Sequence, residues 1–137
     1  MGLVLDASVL IAAEREAKPI DEVLLMLEQH YGETEIILSA ITVIEMEHGF
    51  HRANTPERAK RRRDYLDTVF VAIPTEPFTE DMARLAAKID AEAKKNGNII
   101  PFTDLLIGIT ALHFDYAVGT RNERHFKMIP DLKIIPL

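Results

Sequence analysis

Asp6, Glu45, Asp104 and Asn122 are spread across the chain, yet each stands beside a run that reads as strand or buried helix. Asp6 follows Leu3-Val4-Leu5, and Glu45 lies a few residues past Ile36-Ile37-Leu38. Asn122 follows Tyr116-Ala117-Val118-Gly119-Thr120, and Asp104 opens the helix before that strand. In an open parallel α/β sheet, ligands bind beyond the carboxyl ends of the strands, where the strand order reverses. Carboxylates gathered there repel one another unless a proton or a cation holds them together. A hard divalent ion, Mg²⁺ or Mn²⁺, suits such oxygen donors. The pattern points to an enzyme.

Each residue also has a plainer role open to it. Asp6 in Asp6-Ala7-Ser8 suits a helix N-cap, and Thr42 with Glu45 matches a capping box. Asp104 in a first helical turn complements the helix dipole, but its neighbours are apolar or small, and burial makes an unpaired acid costly. Asn122 suits a loop. Thr120 and Asn122 are alternatively placed to orient a metal-bound water. Glu47, two residues from Glu45, faces elsewhere on the helix. His48 reads as solvent-side or packed, and His125, beside Phe126, as an orienting or packing residue.

The elements that must position these residues follow from pattern. Short apolar, β-branched runs at 2–6, 35–38, 68–73, 117–119 and 133–135 read as strands. Helices are expected from Ala7 to about Arg15, after Pro19, from Ser39 or Thr42 to about Arg52, from Thr55-Pro56, over Thr79–Lys95 and over Pro101–Phe114. Met82, Leu85, Ala86, Ile89 and Ala93 give the fifth of these an apolar face, and Asn96-Gly97-Asn98 ends it. Strands alternating with helices predict a parallel sheet covered on both faces.

Composition narrows the field. The chain has 137 residues, a length that fits one domain with a real core. It has no cysteine, which excludes disulfides, thiolate zinc sites and cysteine nucleophiles. There is no apolar run long enough to span a membrane and no signal-peptide pattern at the N-terminus, so a cytoplasmic home is expected. Net charge is −6, but residues 51–65 hold Arg52, Arg58, Lys60, Arg61, Arg62 and Arg63 against only Glu57 and Asp64. That stretch is +4, leaving −10 elsewhere. Such a patch beside an acidic metal site would attract a phosphate backbone. Alternatively it is a solvated helix face with pairs such as Glu57–Arg61.

Taken together, the motifs resemble PIN-domain ribonucleases, and among them the VapC toxins of type II toxin–antitoxin modules. The likeness rests on Leu5-Asp6-Ala7-Ser8, Ser39…Thr42-Val43-Ile44-Glu45, Pro101…Asp104-Leu105-Leu106-Ile107 and Thr120-Arg121-Asn122…His125-Phe126. It implies a three-layer α/β/α sandwich with a mostly parallel sheet and Mg²⁺- or Mn²⁺-dependent RNA cleavage. It also implies a homodimer and a small antitoxin that occupies the site. By that likeness Asp6, Glu45 and Asp104 form the acidic triad, with Asp6 and Asp104 on the metal and Asn122, or alternatively His125, at a fourth position. Ser8 or Thr103 would orient ligands, and Arg58–Arg63, Arg121 and Arg124 would contact phosphates. The departure lies at that fourth position, where many relatives carry an acid in place of Asn122 or of His125. Two rivals stand beside this reading. One is a catalytically silent RNA- or protein-binding member of the same fold. The other is a haloacid-dehalogenase-like phosphohydrolase with Asp6 as nucleophile, which wants a second Asp where Ser8 stands.

Overall fold

The computed structural model describes residues 1–137. Five strands, β1 (Gly2–Leu5), β2 (Glu35–Ser39), β3 (Thr75–Glu76), β4 (Ala117–Thr120) and β5 (Ile134–Pro136), form one sheet in the order β3-β2-β1-β4-β5. All four neighbouring pairs are parallel. The connecting helices are α1 (Ala7–Arg15), α2 (Ile20–Tyr31), α3 (Ala40–His51), α4 (Pro56–Ala72), α5 (Glu80–Lys95) and α6 (Phe102–Phe114). None is long and apolar enough to cross a membrane.

The period-two alternation of a strand sends successive side chains to opposite faces. Leu3, Leu5, Leu38 and Ala117 join a buried cluster with residues of α1, α2 and α4, including Leu10, Val23, Leu27, Leu66 and Val69. Val4, Ile37 and Val118 face the other way, onto Met82, Ala86 and Ile89 of α5 and Leu105 and Ile109 of α6. Both faces are therefore covered, the three-layer α/β/α arrangement that the alternating pattern predicts. The β1 strand is buried throughout, as a central parallel strand must be.

The chain builds outward from β1 to β2 and β3, then returns to place β4 and β5 on the other side of β1. The strand order therefore reverses between β1 and β4, the kind of crevice where ligands bind in such sheets. Leu5 pairs with Gly119, and the Asp6 amide donates to the Gly119 carbonyl at 2.9 Å. That register brings the ends of β1 and β4 to the same height.

One expected strand is a helix. Residues 68–73, rich in β-branched types, belong to α4 and its C-cap, Ile73. Leu66, Val69 and Ile73 recur at helical spacing and bury completely against the core, and that packing outweighs the local β preference. The third strand is displaced past Pro74 to Thr75–Glu76. The start of α3 also differs from a capping box. Ser39 caps it, accepting from the Ile41 amide at 3.1 Å, because the helix begins directly at the end of β2. Thr42 lies inside the first turn, and its hydroxyl is buried with no partner.

Candidate active site

At the end of β1 the chain turns into α1, and Asp6 occupies the cap position without capping. Its Oδ2 is claimed instead by two hydroxyls, accepting from Ser8 Oγ at 2.7 Å and from Thr120 Oγ1 at 2.9 Å. Ser8 Oγ in turn accepts from the Arg121 amide, and Thr120 Oγ1 from the Asn122 amide, each at 3.0 Å. This network locks the only buried acid of the chain in orientation and leaves Oδ1 without a hydrogen bond.

Glu45 comes from the second turn of α3. Its Oε1 is buried and has no hydrogen-bond partner. Burial, reinforced by the negative charges of Asp6 and Asp104, pushes its carboxyl up to about 7. Asp104, in the first turn of α6, is also raised. Burial is the largest cause, the His125 hydrogen bond opposes it, and the charge of Asp6 adds to it. The three acids from β1, α3 and α6 thus sit within electrostatic reach of one another, although 39 or more residues separate each from the next in sequence.

Of the two residues considered for the fourth position, only His125 meets the acids through its side chain. The Asn122 side chain is exposed and makes no hydrogen bond, so the residue joins the network only through its backbone amide. His125 reaches the acids, with Nδ1 2.8 Å from Asp104 Oδ2. The 3₁₀ turn Phe126–Met128 that follows is anchored by the buried Phe126 and packs on α6. Gly108 permits that approach, since a Cβ there would run into the Ile129 side chain. The sequence marks His125, beside Phe126, as an orienting or packing residue, and the fold shows that the group it orients is Asp104. Thr103 is exposed and makes no side-chain hydrogen bond, whereas Ser8 and Thr120 position Asp6. Glu47 faces away and is held by Arg63 through two hydrogen bonds of 2.8 and 3.0 Å. The expected Glu57–Arg61 pair does not form. In its place the stretch pairs Lys60 with Asp64, Arg62 with Glu14, and Arg63 with Glu47 and Asp67.

Hard oxygen donors, a buried carboxylate oxygen without a partner and two carboxyls raised chiefly by burial, with neighbouring acids adding to it, together suit a divalent cation. No three acid or histidine side chains converge into a ready-made cage. Mg²⁺ does not ask for one, because it is commonly held by one or two carboxylates and keeps several waters.

The PIN-domain family model matches residues 3–132. The chain belongs to the PIN-domain family. Among related PIN domains, it is 29% identical over 135 residues to Ribonuclease VapC of Rickettsia bellii, covering 98% of this chain and 96% of that one. A VapC ribonuclease of Sinorhizobium fredii is 32% identical over 128 residues, 91% and 90% of the two chains. The fold is shared with VapBC2 from Rickettsia felis, solved bound to a DNA fragment from its promoter, at a TM-score of 0.85 and 21% identity over 100% of this chain and 99% of that chain. VapBC-1 from nontypeable Haemophilus influenzae superposes with a TM-score of 0.83 at 20% identity, over 99% and 98% of the chains. Membership of the PIN-domain family displaces the haloacid-dehalogenase reading. In this PIN domain the residue two past Asp6 is a hydroxyl that orients the acid, not a second acid.

Proposed function

We propose that this PIN domain is a Mg²⁺- or Mn²⁺-dependent ribonuclease, the toxin of a toxin–antitoxin pair. Residues 1–137 act as one domain, in the cytoplasm and as a homodimer, and a small antitoxin silences it. The observation that carries the reading is the mutual crowding of Asp6, Glu45 and Asp104 at the sheet's reversal point, with Glu45 Oε1 left unpartnered. The kinship with proteins named as VapC ribonucleases supports RNA as the substrate.

Asp6 and Asp104 would hold the metal, and Glu45 would act on it through water. Once bound, the ion lowers the pKa of water and neutralises charge on the phosphoryl oxygens. Ser8 and Thr120 keep Asp6 Oδ2 occupied, so Oδ1 remains free to ligate. Glu45 would take the proton from the attacking water, whose oxygen bonds to phosphorus as the P–O bond to one ribose oxygen breaks; that leaving oxygen takes its proton from solvent. His125 fixes the orientation of Asp104, and Asn122 has its backbone, not its side chain, in the network.

The test is cleavage of a single-stranded RNA oligonucleotide with MgCl₂ and with EDTA. Cleavage should require the metal, and Asp104→Asn should lower the rate by a factor on the order of 10² or more while the protein still melts cooperatively. His125→Ala should lower kcat, and Asn122→Ala should leave it close to wild type. A fully active Asp104→Asn, purified free of contaminating nuclease, would sink the assignment. RNA binding without cleavage under any metal would make the domain a silent member of its family.

A further inference from the structure

One groove is not used by the chemistry above. Bounded by the end of α1, the α3–α4 turn and the first turns of α4, it encloses about 680 Å³. Arg52, Arg58, Arg61 and Arg62 wall it, with Glu14 as its one acid. Glu14 is already neutralised, since Arg62 reaches its two oxygens at 2.7 and 2.9 Å. Gly49 makes that reach possible, because a Cβ there would strike the Arg62 guanidinium.

The other three arginines are different. Lys60 and Arg63, from the same basic stretch, are paired with carboxylates. Arg52, Arg58 and Arg61 are exposed and have no carboxylate partner. Two of them are pre-aimed. Arg58 Nη1 donates to Asn54 Oδ1 at 3.0 Å, and Arg52 Nε donates to the His48 carbonyl at 3.3 Å. Three unpaired guanidinium groups around one groove, on a chain of net charge −6, want an anion with several separated charges. Planar N–H forks match phosphate oxygens in particular.

Helix α3 ties this groove to the acid centre. Glu45, Gly49 and Arg52 are spaced i, i+4, i+7 and share one stripe of the helix. Seven residues at 1.5 Å each put Arg52 about 10 Å along the axis from Glu45. We propose that the groove seats the sugar–phosphate backbone of single-stranded RNA, with Arg52, Arg58 and Arg61 each neutralising one phosphate near the one to be cut. Arg62 and Arg63 hold the helices together and do not contact RNA. The assignment rests on the ribonuclease reading.

The experiment measures the affinity of the full chain for a labelled 12-nucleotide RNA in EDTA, from 50 to 300 mM salt. Arg52→Gln/Arg58→Gln/Arg61→Gln should make the slope of log affinity against log salt shallower by about 2, at roughly 0.7 per lost phosphate contact. Each single variant should remove about a third of that. Lys60→Gln/Lys94→Gln/Lys127→Gln changes net charge equally but lies outside the groove, and should shift the slope by less than one contact's worth. Equal slopes for the two triple variants, or no RNA binding by the wild type, would overturn the proposal. So would an oligo-glutamate peptide that binds as tightly as RNA and loses its binding in the arginine triple, since the groove would then receive an acidic protein segment. RNA binding with the expected slopes but no metal-dependent cleavage would fail the ribonuclease reading and leave the groove standing. Metal-dependent cleavage with an unaltered slope in the arginine triple would do the reverse.

Discussion

Glu45 is the residue whose environment departs furthest from that of a free carboxylate. Its carboxyl titrates near 4.5 when unperturbed and at about 7 in the folded, metal-free chain. Between those values the folded chain binds more protons than the unfolded one, so stability falls as pH rises through the window. Asp104, also raised, acts in the same direction. The Glu45 share is at most about 3 kcal/mol, from roughly 1.4 kcal/mol per unit of pKa difference. Glu45→Gln removes it. In EDTA the variant should melt on the order of 10 °C above wild type at pH 8, and the gap should close towards pH 4.5. Thermal melts at four pH values check this, and a constant gap would mean that neither burial nor the neighbouring acids raise the Glu45 carboxyl. Asp6 reaches the same site by another route. Two hydroxyls hold it, one from two residues away and one from the far end of the chain.

Three elements bring the acids together, and a fourth segment finishes the site. β1 delivers Asp6, α3 delivers Glu45 one turn into its length, and α6 delivers Asp104 in its first turn. The segment after β4 returns over α6 and sets His125 on Asp104. Its seat depends on Gly108, which lets Ile129 and Leu132 lie against the helix. Gly108→Val should therefore overpack this contact, costing about 1–3 kcal/mol. Its effect on cleavage should exceed its effect on folding, because the displaced segment carries His125. Cleavage rates measured well below the melting temperature, alongside denaturant unfolding, separate the two. Normal cleavage by a destabilised Gly108→Val would show that the histidine does not need this seat. On the opposite layer, α4 is clamped to α1 by Arg62–Glu14 and to α3 by Arg63–Glu47, with the Arg63 guanidinium also 5.0 Å over the Phe50 ring. Those bonds explain why two of the six basic residues of the 51–65 stretch, Arg62 and Arg63, are structural.

For the whole molecule, the gathered carboxylates are a cost carried by the core. Two faces of the sheet, each covered by its own buried cluster, supply the stability that tolerates them. A cation that binds only the folded form should then raise the melting temperature, by an amount equivalent to about 2.7 kcal/mol at a hundredfold excess over its Kd. Asp6→Asn and Asp104→Asn should each remove most of that shift, and Asp104→Asn should itself melt no lower than wild type in EDTA, since one of several like charges is gone. Equal Mg²⁺ shifts in wild type and both variants would place the ion elsewhere. The same field, acidic overall and basic at one groove, would direct a polyanion to one face of the domain.

The sequence alone carried the element order and the parallel α/β class, and it singled out Asp6, Glu45 and Asp104, which the fold brings within electrostatic reach of one another. Those signals are local: the alternation of apolar runs, caps such as Thr55-Pro56, and a lone acid inside the apolar stretch 99–111. It misjudged residues 68–73, because β-branched composition says strand while the period of Leu66, Val69 and Ile73 says helix. Only burial against α2 and the sheet decided between them. It also left open whether Asn122 or His125 stands beside Asp104, and the fold puts His125 there. Which of two loop residues turns inward depends on where Phe126 and Ile129 find their cavity, and that cavity is made by α5 and α6. Likewise, Arg52, Arg58 and Arg61 cannot be told from Lys60, Arg62 and Arg63 by sequence. Their partners lie on α1 and α3 or one turn away, and only the packed helices determine which charges are satisfied and which remain open to a ligand.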